Sequence, residues 1–394
     1  METDVTTTTI ACDVAVIGGG ISGMIAGLRA AQGGKQVRVF EKTPDERYVC
    51  NSRLTGGIWH CGQMDIQSEP AVLEERIRQV TGGNARADLT RAVARDGIRV
   101  VRWLQSVGIR FIRGPYEYQS FMLSPPTITP QGRQWEGRGG DVLLRTLEAE
   151  LGKLGGQVLR GRRATELIRH EGAVTGFAGV DAEGAAFEVR AGAVVIADGG
   201  FQANEEALRG VISPAPEKVF QRNARTGMGD GMRMARAVGA AVSDLRGFYG
   251  HVQSRDAFSS DKLWPYAWLD FVLAAGIVVG RDGRRFDDEG EGGVHMANAI
   301  AALQDPAQAV VIADQTIWDE RGTFNILPPN PRLPQGGGTM LVADTLQALA
   351  QRAGIDAAGL VAEVDAYNAA VQAGRADALT PTRSSARFHP YPIV

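Results

Sequence analysis

From Cys12 to Glu41 the apolar positions run as a short continuous block (Val14 to Ile17), a glycine turn and a stretch with helical spacing (Ile21 to Ala31). A Gly33-Gly34 break and a second block from Gln36 to Phe40 follow. Short apolar blocks read as strands buried on both faces and the 3.6-residue period between them as a helix, so the stretch predicts a βαβ start. Helical spacing returns over Val72 to Val80, Leu89 to Asp96 and Val100 to Leu104, then from Gly140 to Leu154, which leads into a strand at Gln157 to Leu159. Thr165 to His170, Val174 to Val180 and Phe187 to Val189 predict a meander of short strands with tight turns. The run Ala193 to Ala197 predicts a buried parallel strand opening into Asp198-Gly199-Gly200. A helix at Met228 to Val238 closes this pattern, and beyond it aromatic residues crowd into 248–271. That shift places a first domain at 1–238 and a second at 239–374. The second contains a strand at Val310 to Ala313 and helices at Thr345 to Arg352 and Ala357 to Val371.

Composition narrows the function classes. The 394 residues suffice for two or three domains, and a formal net charge of -3 offers no basic field to attract nucleic acid. The 50 glycines sit in short clusters between periodic segments, as turns and close backbone approaches do. Cys12, Cys50 and Cys61 form no CxxC pair, which argues for a reducing compartment and against a structural zinc site. No apolar run reaches membrane-spanning length and the N-terminus lacks the basic start and apolar stretch of a secretory signal, so the expected location is cytoplasmic.

Gly18, Gly20 and Gly23 form GxGxxG between the first strand and the helix. The first glycine permits the tight turn, the second the approach of a pyrophosphate and the third close helix–strand packing, while the helix N-terminus favours negative charge. Glu41 ends the second strand, where a carboxylate can accept both hydroxyls of an adenosine ribose. FAD and NAD both satisfy this fingerprint. The polar loop holding Asn51, Ser52, Thr55, Gly56 and Gly57 favours FAD, because such a loop can run along a long extended cofactor and present backbone N–H groups to it.

The segments DVAVIGGGISG, VFEK, NSRLTGG, GRGGDVLLRTLEAEL, VVIADGGFQAN, RTGMGDGMRMARAVGA and GIVVGRDGRRFDDEGE occur in that order. In them the chain resembles the FAD-binding flavoprotein family of fumarate reductase and succinate dehydrogenase, nearest to members like tricarballylate dehydrogenase and the 3-ketosteroid dehydrogenases. The resemblance implies an α/β fold, a Rossmann-like FAD-binding domain with a β-meander and an inserted α+β capping domain. It places FAD contacts at Ser22, Glu41, Lys42, Asn51, Ser52, Gly56, Gly57, Ala164, Ala197, Gly199 and Asp230, with Asp198 where relatives carry threonine. Covalent members have a histidine at the position of Asn51, so noncovalent FAD is implied. It also implies that 375–394 begins a return to the first domain and that the polypeptide continues past Val394.

For catalysis the resemblance points to His251 on the substrate carbonyl, Arg285 orienting negative charge and Glu289 supporting proton transfer. Arg284 and Asp288 read as a solvated turn; His295, Tyr116, Tyr118 and Tyr249 are further candidates. The reading that follows is a dehydrogenase. It desaturates a C–C bond next to a carboxylate or ketone of a small-molecule substrate and passes electrons to an unidentified acceptor. The position at which the resemblance puts the reductases' proton-donating arginine is Gly293, which favours that direction over reduction of an activated alkene. A noncatalytic flavin-binding protein and an NAD-only dehydrogenase are the remaining alternatives.

Overall fold

The computed structural model describes residues 8–127, 135–221, 223–263, 267–324, 327–385 and 388–394. The aromatic-rich span therefore has Trp264 and Tyr266 outside the described residues. The chain divides into two compact units. The first is made of the described parts of Met1–Ile128, Trp135–Ala203 and Asn223–Ala241, and the second chiefly of Asn204–Arg222 and Val242–Val394. The expected boundary at Gly239 lies close to this division. The excursion Asn204–Arg222 gives no compositional signal and belongs to the second unit, where Lys218 pairs with Asp305 at 2.8 Å.

The first unit is built on β1 (Thr8–Ile17), α1 (Ile21–Gln32), β2 (Val37–Phe40), α2 (Pro70–Val80), α3 (Ala87–Ser106), α4 (Gly139–Lys153), β3 (Gln157–Leu159), β4 (Arg162–His170), β5 (Ala173–Asp181), β6 (Ala186–Ile196) and α5 (Asp230–Ala237). Six strands form one sheet in the order β3-β2-β1-β6-β5-β4. The pairs β1/β2, β2/β3 and β1/β6 are parallel, and β6/β5 and β5/β4 antiparallel. Alternation sorts the side chains: Val16, Val37 and Val39 pack under α1 and α4, against Met24, Leu28, Leu143 and Leu147. Ala15, Ile17 and Phe40 face the other way, against Phe177, Phe187 and Met234.

Two sequence expectations merge here. The segments Phe187 to Val189 and Ala193 to Ala197, the latter up to Ile196, lie on one long strand, β6, which pairs with β5 through its first half and with β1 along its length. The strand continues through Arg190-Ala191-Gly192, where the apolar pattern lapses, and an added Cβ on Gly192 would sit 3.2 Å from the Asp13 carbonyl oxygen. Likewise α3 is continuous where two helical stretches were expected.

In the second unit, α6 (Asp270–Ala275) leads into β7 (Ile277–Val279), antiparallel to β8 (Val310–Ile312). With α8 (Leu346–Ala353) and α9 (Ala357–Gln372) these elements enclose a core of Val272, Ile277, Ile312, Leu360, Val364, Tyr367 and Ile393, while α7 (Gly293–Ala301) packs Met296 and Ala297 against Val252, Leu273 and Val278. The segment expected to begin a return to the first domain is instead held in this unit. Arg383 donates to the Ala274 carbonyl, and Asn368 and Ile393 exchange hydrogen bonds of 2.7 and 2.8 Å. No helix among the described residues is long and apolar enough to cross a membrane.

One buried ion pair ties the first unit together across the sequence. Asp141, in the first turn of α4, is 0% exposed, and it holds the guanidinium of Arg53, which is 1% exposed and lies over the Tyr48 ring at 4.8 Å. Removing one partner leaves the other charge desolvated and uncompensated. Asp141→Asn is accordingly expected to cost roughly 3 to 5 kcal/mol, visible as a lowered urea midpoint. A loss below about 1 kcal/mol, the scale of an exposed pair, contradicts this account of Arg53.

Candidate functional site

The turn from β1 to α1 forms the floor of a cleft. Gly18 has φ 103°, and a Cβ there would lie 2.5 Å from the Ala197 carbonyl oxygen at the end of β6; a Cβ on Gly23 would overlap the Gly18 carbonyl oxygen. Both positions exclude any side chain, so α1 seats directly on the strand ends. Gly20 starts α1 without a side-chain cap, and the Ile21 N–H is taken at 2.9 Å by the Ser52 hydroxyl.

Glu41 is buried at the end of β2, where its carboxylate accepts the Gly19 N–H at 3.1 Å and the Thr43 N–H at 3.0 Å. Two backbone donors fix its orientation and leave the other lone pairs of the carboxylate available to a pair of hydroxyls. Tyr48, which sequence reasoning passed over, lies beneath the turn and donates to the Gly19 carbonyl at 2.7 Å. Burial pushes its phenol well above the ordinary range, so it stays a donor.

Gly18, Gly20, Ser22, Glu41, Lys42, Asn51, Ser52, Ala164, Ala197, Gly199 and Asp230 all line the cleft, as does Asp198, with Arg162 and Arg163 added by the structure. Gly23, Thr55, Gly56 and Gly57 do not line it. Gly57, at φ 71°, packs against Leu123, and the Thr55 hydroxyl accepts the Gly57 N–H at 3.1 Å. Asn51 accepts the Ala224 N–H at 2.8 Å through its side-chain carbonyl, and Lys42 donates to the Thr226 carbonyl. Asp198 accepts the Gly231 N–H at 2.7 Å at the start of α5, and burial raises its carboxyl above the usual range. Asp230 pairs with Arg163 at 2.9 Å. A glycine turn with no room for Cβ, a carboxylate at the strand end and flanking cations are the donor and acceptor set that a dinucleotide requires, so the residues present fit FAD.

The catalytic candidates lie in the second unit, in two arrangements. The His251 Nδ1 meets Asp270 Oδ2 at 2.5 Å and its Nε2 meets the Tyr249 hydroxyl at 3.1 Å, while the ring stacks on Trp268 at 3.7 Å between centroids. Arg285 and Glu289 are used differently from the expectation that they face substrate. Their side chains are 0% exposed and bonded to each other at 2.6 Å, with Arg285 also donating to the Pro381 and Thr382 carbonyls and Glu289 accepting the Val278 N–H. Burial raises the Glu289 carboxyl and the Arg285 guanidinium opposes that shift. The pair braces β7 and the 375–394 segment. Asp288 is not solvated but buried, accepting the Gly290 and Ser384 N–H groups at 2.8 and 2.9 Å. In the first unit, the rings of Tyr116 and Tyr118 stack at 5.7 Å.

His295 Nε2 lies 2.8 Å from Asp287 Oδ1. The hydrogen bond to this carboxylate raises the imidazole above its ordinary 6.5 and lowers Asp287 below the usual carboxylate range. A raised cation contributes stability that is full below the unfolded value and is lost as pH rises through the folded value. The ring protons of His295 should therefore titrate above 6.5 in NMR spectra and fall toward it in Asp287→Asn. A wild-type midpoint at or below 6.5 contradicts the pairing.

Comparison with known proteins bears on the whole chain. The NADH:fumarate oxidoreductase of Klebsiella pneumoniae (strain 342) is 24% identical over 96% of this chain, which spans only 40% of that protein's length. The 4-oxocyclohexanecarboxylate 2-dehydrogenase of Sinomonas cyclohexanicum is 25% identical over 91% of this chain and 73% of its own. The crystal structure of the 3-ketosteroid-Δ4-(5α)-dehydrogenase of Rhodococcus jostii RHA1 superposes with a TM-score of 0.69, at 21% identity, over 99% of this chain and 83% of that one, and so shares the fold. The family model described as FAD binding domain matches residues 13–393, and the chain belongs to that FAD-binding family.

Proposed function

We propose that this chain is the core of an FAD-dependent dehydrogenase that desaturates a C–C bond adjacent to a carboxylate or ketone. The observation that carries the reading is the cleft itself, a Cβ-excluding glycine turn facing the fixed carboxylate of Glu41 in a chain of the FAD-binding family. When bound, FAD supplies a hydride acceptor at flavin N5, and the carbonyl beside the reacting bond acidifies the proton that departs from the neighbouring carbon.

Two observations support the oxidative direction. A Cβ on Gly293 would overlap the Asp270 carboxyl, so the position tied by resemblance to the reductases' arginine has no space for any side chain. The dehydrogenase relative, whose named substrate carries both a ketone and a carboxylate, is matched over a larger share of its length than the fumarate oxidoreductase, 73% against 40%.

Within this reading, Glu41 holds the adenosine ribose, the α1 N-terminus takes the pyrophosphate, and Asn51, an amide that cannot form a histidyl-flavin bond, leaves the cofactor noncovalent. His251 handles the departing proton, and the Arg285–Glu289 pair keeps the surrounding backbone in place.

Three outcomes follow. Acid precipitation should release all flavin into the supernatant, whereas colour retained on the washed polypeptide contradicts noncovalent attachment. Glu41→Gln should weaken FAD binding by roughly 1 to 3 kcal/mol in equilibrium titration, the scale of a charge-assisted hydrogen bond left unmade, and an unchanged dissociation constant removes Glu41 from the ribose site. His251→Ala should keep FAD yet slow anaerobic flavin reduction by 4-oxocyclohexanecarboxylate about a hundredfold. A wild-type rate at full FAD occupancy rules out the role of His251.

A further inference from the structure

His251 is held on three sides, and the contacts differ in chemistry. Asp270 offers two oxygens: Oδ1 accepts the Val252 N–H at 3.0 Å, and Oδ2 lies 2.5 Å from His251 Nδ1. A carboxylate has no proton to offer, so Nδ1 carries one and donates it. In the neutral ring Nε2 is then a lone pair, and the group 3.1 Å from it is a hydroxyl, that of Tyr249. The Trp268 face lies parallel to the ring, with an interplanar angle of 9°, where a π surface stabilises an imidazolium. The Tyr249 residue is 79% exposed, while the side chains of His251 and Asp270 are 7% and 12% exposed. The buried end of this series is thus a carboxyl group and its outer end the hydroxyl of an exposed residue.

Gly293 completes the arrangement from another element. Asp270 opens α6 and Gly293 opens α7, and the Asp270 carboxyl occupies the space a side chain at 293 would need. The carboxylate is therefore set by packing as well as by the Val252 N–H.

We propose that Asp270 is a positioning residue that fixes His251 in the Nδ1–H tautomer, so that Nε2 accepts a proton passed through the Tyr249 hydroxyl. This rests on the assignment of His251 to proton handling in the proposed dehydrogenation. As the Tyr249 oxygen takes the proton from the acidified substrate carbon, its own proton moves to Nε2. The C–H electron pair becomes the new C=C bond, and the hydride that leaves the other carbon would be taken up by FAD, the oxidant in the proposed dehydrogenation. The ring becomes an imidazolium between the Asp270 carboxylate and the Trp268 face, and it returns its proton to solvent through Tyr249.

Asp270→Asn reverses the proton's place on the ring. The Val252 N–H keeps the amide oxygen on its side, so the NH₂ turns to His251 Nδ1, which must then accept, and the proton shifts to Nε2. Long-range ¹H–¹⁵N spectra of the FAD-loaded protein in alkaline buffer read the tautomer directly, with the His251 resonances identified by their loss in His251→Gln. We expect Nδ1–H in the wild type and Nε2–H in Asp270→Asn, accompanied by a 10- to 100-fold slower flavin reduction by 4-oxocyclohexanecarboxylate at unchanged FAD occupancy. A wild-type Nε2–H ring, or an unchanged tautomer in Asp270→Asn, overturns the proposal. If Asp270→Asn fails to fold, the wild-type spectrum and that of Gly293→Ala, which displaces the carboxylate, decide the question. The tautomer needs no substrate, so it fails or holds separately from the rate of His251→Ala.

Discussion

The close seating of α1 on the ends of β1 and β6 is the constraint on which the cofactor cleft depends. Gly18 abuts the Ala197 carbonyl and Gly23 abuts the Gly18 carbonyl, so one added methyl at either position would push helix and sheet apart. The consequences spread from there. Close seating brings the Gly19 N–H to Glu41 and the Gly19 carbonyl to Tyr48, and it brings the Ile21 N–H to Ser52. An anion site at a helix N-terminus and a carboxylate at the neighbouring strand end then face one another across a cleft with little freedom to drift, which is the preorganisation a long cofactor needs.

Buried charge holds the parts of each unit that backbone pairing does not reach. In the first, Asp141 grips Arg53 from the start of α4, and α4 fits so closely that a Cβ on Gly140 would overlap the Ser52 carbonyl oxygen. The loop carrying Asn51 and Ser52 is thereby fixed from behind. In the second, Arg285 and Glu289 brace β7 against the 375–394 segment, and Asp270 fixes His251. Each anion has backbone donors or a guanidinium on its free oxygens, the condition under which a desolvated carboxylate is tolerated.

What the sequence disclosed follows from how local each signal is. The strand, turn, helix and Glu41 stand within one continuous stretch, so periodicity and glycine spacing were enough to place them. β6 reads as two strands because Arg190-Ala191-Gly192 interrupts the apolar pattern, and only its pairing with β1 shows that it continues. Arg53 and Asp141 are 88 residues apart, and no local pattern links an arginine in a polar loop to an aspartate on a helix. Asp288 reads as part of a solvated turn, and Arg285 and Glu289 as groups facing substrate, because charge in a polar stretch predicts exposure unless partners are known, and the partners of Arg285 and Asp288 include residues at 381–384. For His251 the residue was legible through family resemblance but its setting was not, because Asp270 and the glycine at 293 that leaves room for its carboxyl come from other elements.

The central claim is that bound flavin is reduced by a saturated carbonyl compound. The direct measurement is anaerobic mixing of the FAD-loaded protein with a panel of ketosteroids and keto acids that includes 4-oxocyclohexanecarboxylate, following the flavin's visible absorption. The account predicts that a member of this panel bleaches the oxidised flavin band and is recovered as its unsaturated product. A band unchanged by every saturated compound, together with rapid reoxidation of the chemically reduced protein by enoates or enones, would contradict it.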